Sequence, residues 1–156
     1  MQYLKPRDFL NSAKDYPLVD VRSPGEFTEG HLSGAENLPL FDDDERAAVG
    51  IAYKKRGKYT AIEKGLEIVG PKMSHLAKKA KTVARDGKIG VYCWRGGMRS
   101  EKMAWLFELV GLDTVVLEGG YKAYRNQLLT DFENILNNSN EVDYHKIEVI
   151  PTSGST

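Results

Sequence analysis

The stretch Lys88-Ile-Gly-Val-Tyr-Cys93-Trp-Arg-Gly-Gly-Met-Arg99-Ser100 predicts a buried strand, a short loop and the start of a helix, in that order. Residues 88–93 are mostly apolar, as expected of a strand that is covered on both faces. Helical spacing begins at Ser100, and its apolar face consists of Met103, Leu106, Phe107 and Val110. A strand that passes into a helix through a short loop is the basic unit of an α/β domain.

The segments on either side repeat this alternation of short strands and longer helices. On the amino-terminal side, the predicted elements are a helix over 6–14, strands over 17–21 and 35–39, a helix that starts at 42, and a helix over 72–85. On the carboxyl-terminal side, they are a strand over 114–117, a helix over 121–136, and a strand or ordered tail over 142–150. The last helix has an apolar stripe that we expect to pack in the core: Tyr121, Tyr124, Leu128, Phe132 and Ile135. The expected fold class is α/β, with a central, mainly parallel sheet.

Two of these helices have clear start signals. Ser23 precedes Pro24 and is followed by Glu26, which predicts a capping box with proline at the first helical position. The acidic run Asp42-Asp-Asp-Glu45 suits a helix N-terminus, where the helix dipole favours negative charge. We interpret that run as a solvated helix start and not as a metal site.

Composition excludes several classes of protein. The chain has 156 residues, enough for one compact domain, and 22 basic and 22 acidic residues give it a net charge of zero. A neutral total argues against a protein coated in positive charge for nucleic acid, although it leaves room for a local basic face. The one cysteine cannot form an intramolecular disulfide, which favours a reducing, cytoplasmic compartment. With three scattered histidines it provides no metal-ligand spacing, and no segment has the length of a membrane span, so we expect neither a metal nor a membrane.

The loop after Cys93 has the composition of an anion-binding site. Gly96 and Gly97 allow the loop to curl with its N–H groups pointing inward, and the following helix N-terminus adds partial positive charge. Arg95 and Arg99 add full charges. We expect a cysteine in this setting to ionise readily, and the thiolate is the nucleophilic form. Cys93 is therefore the candidate catalytic nucleophile, and the candidate anion-binding loop consists of Trp94, Arg95, Gly96, Gly97, Met98, Arg99 and Ser100.

The spacing within this loop leaves two interpretations open. Cys93 and Arg99 form a C-x5-R pattern, which cysteine-dependent phosphatases use to hold phosphate oxygens. Sulfurtransferases of the rhodanese type use a similar loop, usually one residue shorter, to hold a persulfide on the cysteine. The loop alone does not distinguish them.

The order of motifs along the rest of the chain resembles that of the rhodanese-like family. The opening signature of that family is matched by Leu18-Val-Asp-Val-Arg22, Glu26-Phe27, Gly30-His-Leu32, Gly34-Ala35 and Asn37-Leu-Pro39. The strand and turn after its active-site helix are matched by Leu117-Glu-Gly-Gly-Tyr121. The resemblance implies a rhodanese-like domain over residues 1–136, with helices on both faces of the sheet. Asp20 and Arg22 stand at the polar end of a strand, where we expect them to brace neighbouring loops.

A helical insertion at about 42–70 carries a narrower resemblance, to the N-terminal rhodanese domain of tRNA 2-selenouridine synthases. Its motifs are Asn37-Leu-Pro through Gly50, Tyr53-Lys54, Gly57, Ala61 and Gly65 through Gly70, together with Arg95 through Ser100 and Leu117 through Arg125. This resemblance implies replacement of the sulfur of wobble 2-thiouridine by selenium, with tRNA as partner and selenophosphate as co-substrate. It also implies that Cys93 acts in the selenium step, without a bound cofactor.

The chain departs from that family in one respect. Members usually carry a nucleotide-binding P-loop domain after the rhodanese domain, but the chain has no G-x-x-x-x-G-K-[ST] motif, and Ser153-Gly-Ser-Thr156 stops short of one. We therefore expect residues 137–156 to be a tail or linker toward a missing P-loop domain. That domain would belong to a longer chain or to a partner chain.

Two basic clusters are the remaining sequence signal. One is Lys54-Lys-Arg56 with Lys58, and the other is Lys78-Lys79 with Lys81 and Arg85. Such runs are usually solvated helix faces, but clusters that border the cysteine would steer tRNA phosphates. The leading hypothesis is chalcogen transfer by Cys93. Its alternatives are a generic thiosulfate sulfurtransferase, a cysteine phosphatase and a non-catalytic binding module.

Overall fold

A computed structural model describes residues 1–137, which contain a five-stranded sheet. Its strands are β1 (Gln2–Leu4), β2 (Leu18–Asp20), β3 (Glu36–Asn37), β4 (Lys88–Tyr92) and β5 (Asp113–Leu117). They lie in the order β1-β5-β4-β2-β3, and every pair is parallel, which confirms the predicted sheet. The sequence pattern does not indicate β1, because a three-residue edge strand is too short to show a period.

Seven α-helices connect and follow these strands in the described part of the chain. They are α1 (Pro6–Ser12), α2 (Pro24–Thr28), α3 (Asp43–Arg56), α4 (Lys58–Val69), α5 (Met73–Val83), α6 (Met98–Leu109) and α7 (Gly120–Asn137). A turn of 3-10 helix, Gly70–Lys72, joins α4 to α5. Helix α6 begins two residues before the expected Ser100, and α1 ends two residues before residue 14. None of the described helices is long and apolar enough to cross a membrane.

The predicted capping box is present at α2. Ser23 Oγ accepts a hydrogen bond from the Glu26 N–H, and the Glu26 carboxylate accepts one from the Ser23 N–H. Asp42 and Glu45 form a second capping box at α3, so the acidic run is a helix start, as interpreted from the sequence.

Two apolar cores lie on opposite faces of the sheet. Successive side chains of a strand point to opposite faces, so Val91 joins one core and Tyr92 joins the other. The first core includes side chains of α5 and α6: Leu76, Ala77, Ala80, Met103, Leu106 and Phe107. The second core includes Phe9 of α1, with Tyr121 and Tyr124 of α7 packed against it. Helices therefore cover both faces, as the family resemblance implies.

Only two of the five residues in the expected apolar stripe of the last helix pack against the core. Tyr121 and Tyr124 pack against the second core, but Leu128, Phe132 and Ile135 are 48%, 51% and 47% exposed. An 18-residue helix is about 27 Å long, whereas the five residues of β5 span about 17 Å. Helix α7 is therefore longer than β5, and its second half extends beyond the end of the strand. The expectations for residues 142–150 and for a tail or linker lie outside the described residues, apart from Asn137.

Strand register brings three loops to one edge of the sheet. Asp20 of β2 is aligned with Tyr92 of β4, and Val91 is aligned with Val116 of β5. The loops that follow these three parallel strands consequently leave the sheet at the same edge, which is where α/β domains form ligand sites.

Candidate active site

The thiol of Cys93 lies just beyond β4, against the first turn of α6. Its Sγ is 3.2 Å from Ser100 Oγ and 4.0 Å from the Gly97 carbonyl oxygen, and the cysteine is buried. The Ser100 hydroxyl is also buried and donates to the Gly97 carbonyl over 3.0 Å. Because a hydroxyl both donates and accepts, Ser100 can accept from the thiol or turn to donate to the thiolate.

The segment that follows Cys93 carries backbone N–H donors without an acceptor among the described protein groups. Within residues 1–137, no N–H group of residues 94–99 donates a hydrogen bond to another protein group. The first N–H groups of a helix have no intrahelical acceptor and carry partial positive charge. Helix α6 begins at Met98, with Gly97 as its N-cap. The segment that follows Cys93 thus presents several donors that an anion can accept.

Glycine contacts hold this segment against the start of α7. A Cβ on Gly96 would lie 2.7 Å from the Gly119 nitrogen and 2.8 Å from the Leu117 oxygen. A Cβ on Gly120 would overlap the Cys93 oxygen and lie 2.5 Å from the Gly96 nitrogen. Both Gly96 and Gly120 also have positive φ, 65° and 62°. The sequence singles out Gly96, but it does not show that Gly119 and Gly120 pack closely against it.

Two backbone hydrogen bonds reinforce that contact. The N–H groups of Tyr121 and Lys122, in the first turn of α7, donate to the carbonyls of Cys93 and Trp94, each over 2.9 Å. These bonds satisfy helix donors that would otherwise lack acceptors, and they fix the direction in which the chain leaves Cys93.

Asp20 and Arg22 form a buried ion pair beside this segment. Arg22 Nη2 donates to Asp20 Oδ2 over 2.6 Å and to the Gly30 carbonyl over 2.7 Å. The Arg22 guanidinium carbon lies 4.3 Å from the ring centroid of Tyr121 and 5.8 Å from that of Trp94. Burial alone would lower the pKa of Arg22, but the hydrogen bond and charge of Asp20 outweigh it, and the pKa is raised. The pair thus ties the β2 end to the Gly30 turn and to the aromatic side chains around Cys93.

The two arginines of the loop have different surroundings. Arg95 is exposed, but the guanidinium of Arg99 donates to both carboxylate oxygens of Glu26, over 2.7 and 3.2 Å. Arg46 of α3 pairs with the same carboxylate at 3.0 Å. Burial would raise the pKa of Glu26, but Arg99, the Ser23 N–H and Arg46 together lower it. The sequence indicates Glu26 only as a capping residue, because its pairing with Arg99 spans 73 residues.

The other predicted loop residues take separate positions. Trp94 is partly buried, with its ring centroid 5.8 Å from that of Tyr121. Met98 is 45% exposed, on the first turn of α6. Gly97 has open space where a Cβ would stand, so its place in the loop does not depend on the lack of a side chain.

Comparison with known proteins identifies the class to which this arrangement belongs. Residues 6–127 match the model of the rhodanese-like domain family. The chain therefore belongs to the rhodanese-like family.

Within that class, the chain is similar to tRNA 2-selenouridine synthases. It is 40% identical over 137 residues to that of Bdellovibrio bacteriovorus, a match that covers 85% of this chain and 36% of the relative. It is 43% identical over 123 residues to that of Serratia proteamaculans, covering 77% of this chain and 33% of the relative. The chain thus spans about a third of the length of these relatives.

A solved structure with a similar sequence agrees with the fold. It is the N-terminal domain of a putative ATP/GTP binding protein from Clostridium difficile 630, 41% identical to this chain. The match covers 82% of this chain and 99% of that domain, with a TM-score of 0.76.

Proposed function

We propose that this chain transfers sulfur or selenium through Cys93, as the rhodanese-like module of a tRNA 2-selenouridine synthase. The observation that carries the proposal is the position of the Cys93 thiol, next to a segment of unpaired backbone donors at a helix N-terminus. The relatives support this narrower choice of function, because they are tRNA 2-selenouridine synthases. The substrate would be wobble 2-thiouridine in tRNA, and the donor would be selenophosphate.

The first step would load the cysteine. The Cys93 thiolate forms a bond to the terminal chalcogen of the donor, and the bond between that chalcogen and the donor's central atom breaks. The electron pair of the broken bond leaves with the oxyanion, which is sulfite from thiosulfate or phosphite from selenophosphate. Cys93 then holds a persulfide or a perselenide. The N–H groups of residues 94–99 would stabilise the negative charge of the donor and of the loaded sulfur or selenium.

The second step would deliver selenium to tRNA. The terminal selenium adds to C2 of 2-thiouridine, and the C2–sulfur bond breaks with its electron pair on sulfide. A thiol reductant then cleaves the remaining sulfur–selenium bond and releases the nucleoside from Cys93. The P-loop domain expected from the family resemblance, on a longer chain or on a partner chain, would complete the enzyme.

The contacts of Arg99 favour chalcogen transfer over phosphatase chemistry. In a C-x5-R phosphatase the arginine holds the oxygens of the substrate, but here the Arg99 guanidinium already donates to both oxygens of Glu26. A generic thiosulfate sulfurtransferase would use the same Cys93 chemistry with a different donor, so the donor preference separates it from the proposal.

The test is loading of the purified chain, measured by intact-protein mass spectrometry. We expect selenophosphate to add one selenium atom to the wild type with release of phosphite, and Cys93→Ser to remove loading completely. Ser100→Ala should load about tenfold more slowly, because the hydroxyl beside the sulfur is lost.

Three results would contradict the proposal in different ways. Loading from thiosulfate but not from selenophosphate would indicate a generic sulfurtransferase. Hydrolysis of an aryl phosphate that depends on Cys93 would indicate a phosphatase. Loading from neither donor, with a folded protein, would indicate a binding module.

A further inference from the structure

A large apolar cavity lies between the α3–α4 hairpin and the first turns of α6. Its volume is about 960 Å³, within the range of small-molecule sites. Its walls are mainly aliphatic and include Leu40, Phe41, Val49, Ile51, Ile62 and Leu66. Met98, Arg99 and Lys102 of α6 complete the lining. The proposed chemistry of Cys93 assigns no ligand to this cavity.

The cavity is bordered by a positively charged stretch of the chain. Residues 46–62 contain five basic residues and no carboxylate, although the whole chain is neutral. Two of the cations that line the cavity, Arg46 and Arg99, pair with Glu26. The other three are Lys54, Lys58 and Lys102, and no carboxylate among residues 1–137 pairs with them. The rim of an apolar cavity therefore carries three unneutralised charges.

Exposed tyrosines lie among these cations. Tyr53, which lines the cavity, is 59% exposed, and Tyr59 is 81% exposed. Large aromatic side chains are seldom left in water without a partner, and tyrosines among lysines are the side chains on which single-stranded nucleic acids stack their bases. The combination favours a nucleic acid over a simple apolar anion.

The first turn of α6 lies between the cavity and the reactive cysteine. Met98 and Arg99 line it, and they directly follow Gly97, whose carbonyl is 4.0 Å from Cys93 Sγ. Ser100, the next residue, is in contact with that sulfur. A nucleotide held in the cavity would therefore lie against the same helical turn that holds the nucleophile.

We propose that the hairpin surface, defined as Tyr53, Lys54, Lys58, Tyr59 and Lys102 around this cavity, binds single-stranded RNA. An unstacked base enters the apolar cavity and stacks on Tyr53, and the neighbouring phosphates contact the three lysines. A base in a duplex cannot enter, because pairing and stacking hold it inside the helix. Only the identity of the RNA, a tRNA anticodon loop, rests on the proposed function.

The test is RNA binding by fluorescence anisotropy, with the 156-residue chain and no chalcogen donor. The probes are a fluorescein-labelled RNA stem-loop with a uridine-containing loop and a fully paired RNA duplex. At about 50 mM salt, Lys54→Gln/Lys58→Gln should weaken stem-loop binding about tenfold and reduce the salt slope by about 1.4. Tyr53→Ala should weaken it at least about fivefold. The duplex should bind more weakly than the stem-loop.

The matched control is Lys78→Gln/Lys79→Gln, which removes two exposed charges from α5, outside the cavity. It should bind the stem-loop within about twofold of the wild type. Equal losses in both double variants would mean that net charge, and not this surface, governs binding, and would overturn the inference. So would equal affinity for stem-loop and duplex.

Loading of the wild type by selenophosphate, measured without RNA, separates this inference from the proposed function. A wild type that loads selenium but does not bind the stem-loop overturns the RNA surface alone. A wild type that binds RNA through Lys54 and Lys58 but is not loaded supports the surface and contradicts the proposed chemistry.

Discussion

The segment after Cys93 and the α3–α4 hairpin meet at the first turn of α6, yet they are held in place in opposite ways. The segment packs so closely that neither Gly96 nor Gly120 has room for a Cβ, and a fully buried ion pair lies beside it. The hairpin has no buried residue in α3 and only Ala61 and Gly65 in α4. The Cys93 sulfur is thus positioned by backbone contacts that leave no room for a side chain at Gly96 or Gly120. The adjoining charged surface contributes little to the core and can vary at small cost in stability.

We expect the two regions to differ most in the loss of stability that follows removal of an ion pair. Arg22→Met leaves Asp20 buried and uncompensated, and we expect it to lower the free energy of unfolding by about 4 kcal/mol. The hairpin counterpart is Lys64→Gln, which breaks the exposed Lys64–Glu67 pair and should cost less than about 0.5 kcal/mol. Urea denaturation measures both. Similar losses of stability in the two variants would show that the buried Asp20–Arg22 pair does not support the site. That result would contradict the difference drawn between the two regions.

A glycine in each region gives the next comparison. Gly120→Ala forces a side chain onto the Cys93 carbonyl at a positive φ, and we expect a loss of about 3 kcal/mol. Gly50→Ala, inside α3 with open space around the new Cβ, should stabilise the protein by about 0.5–1 kcal/mol. Thermal unfolding should therefore shift in opposite directions. A Gly120→Ala protein with unchanged stability would mean that the loop can move away from α7.

Glu26 connects the two regions, because it pairs with Arg99 of α6 and Arg46 of α3. Glu26→Gln should lower the free energy of unfolding by about 1 kcal/mol at pH 7, whereas the exposed Glu63→Gln should change it little. The folded-state pKa of Glu26 is lowered, so its stabilisation is present above the ordinary carboxyl pKa of about 4.3 and is lost as the pH falls through the lowered value. The stability difference between wild type and Glu26→Gln should therefore shrink in acid. A difference that is independent of pH would exclude the ion pairs as its cause.

Most of the fold could be predicted because its signals are local. The apolar run that ends at Cys93, the cap at Ser23 and the acidic start at Asp42 each involve residues within one turn or one strand. The structure adds β1, which has too few residues for a pattern, and it corrects the exposed half of α7. An apolar stripe shows that a helix is amphipathic, but it does not show whether a partner covers its full length.

The sequence alone determined that a single cysteine ends a buried strand and is followed by a glycine-containing loop and a helix. It did so because strand and helix periods, and the backbone freedom of glycine, are properties of neighbouring residues. Only the tertiary structure decided that Arg99 donates to Glu26, that Ser100 contacts the sulfur, and that Gly96 packs against Gly120. The pairing of Arg99 with Glu26 spans 73 residues, and the parallel register of β2, β4 and β5 brings such distant loops to one edge of the sheet. Only the assembled sheet sets these distances, and with them the surroundings of the nucleophile.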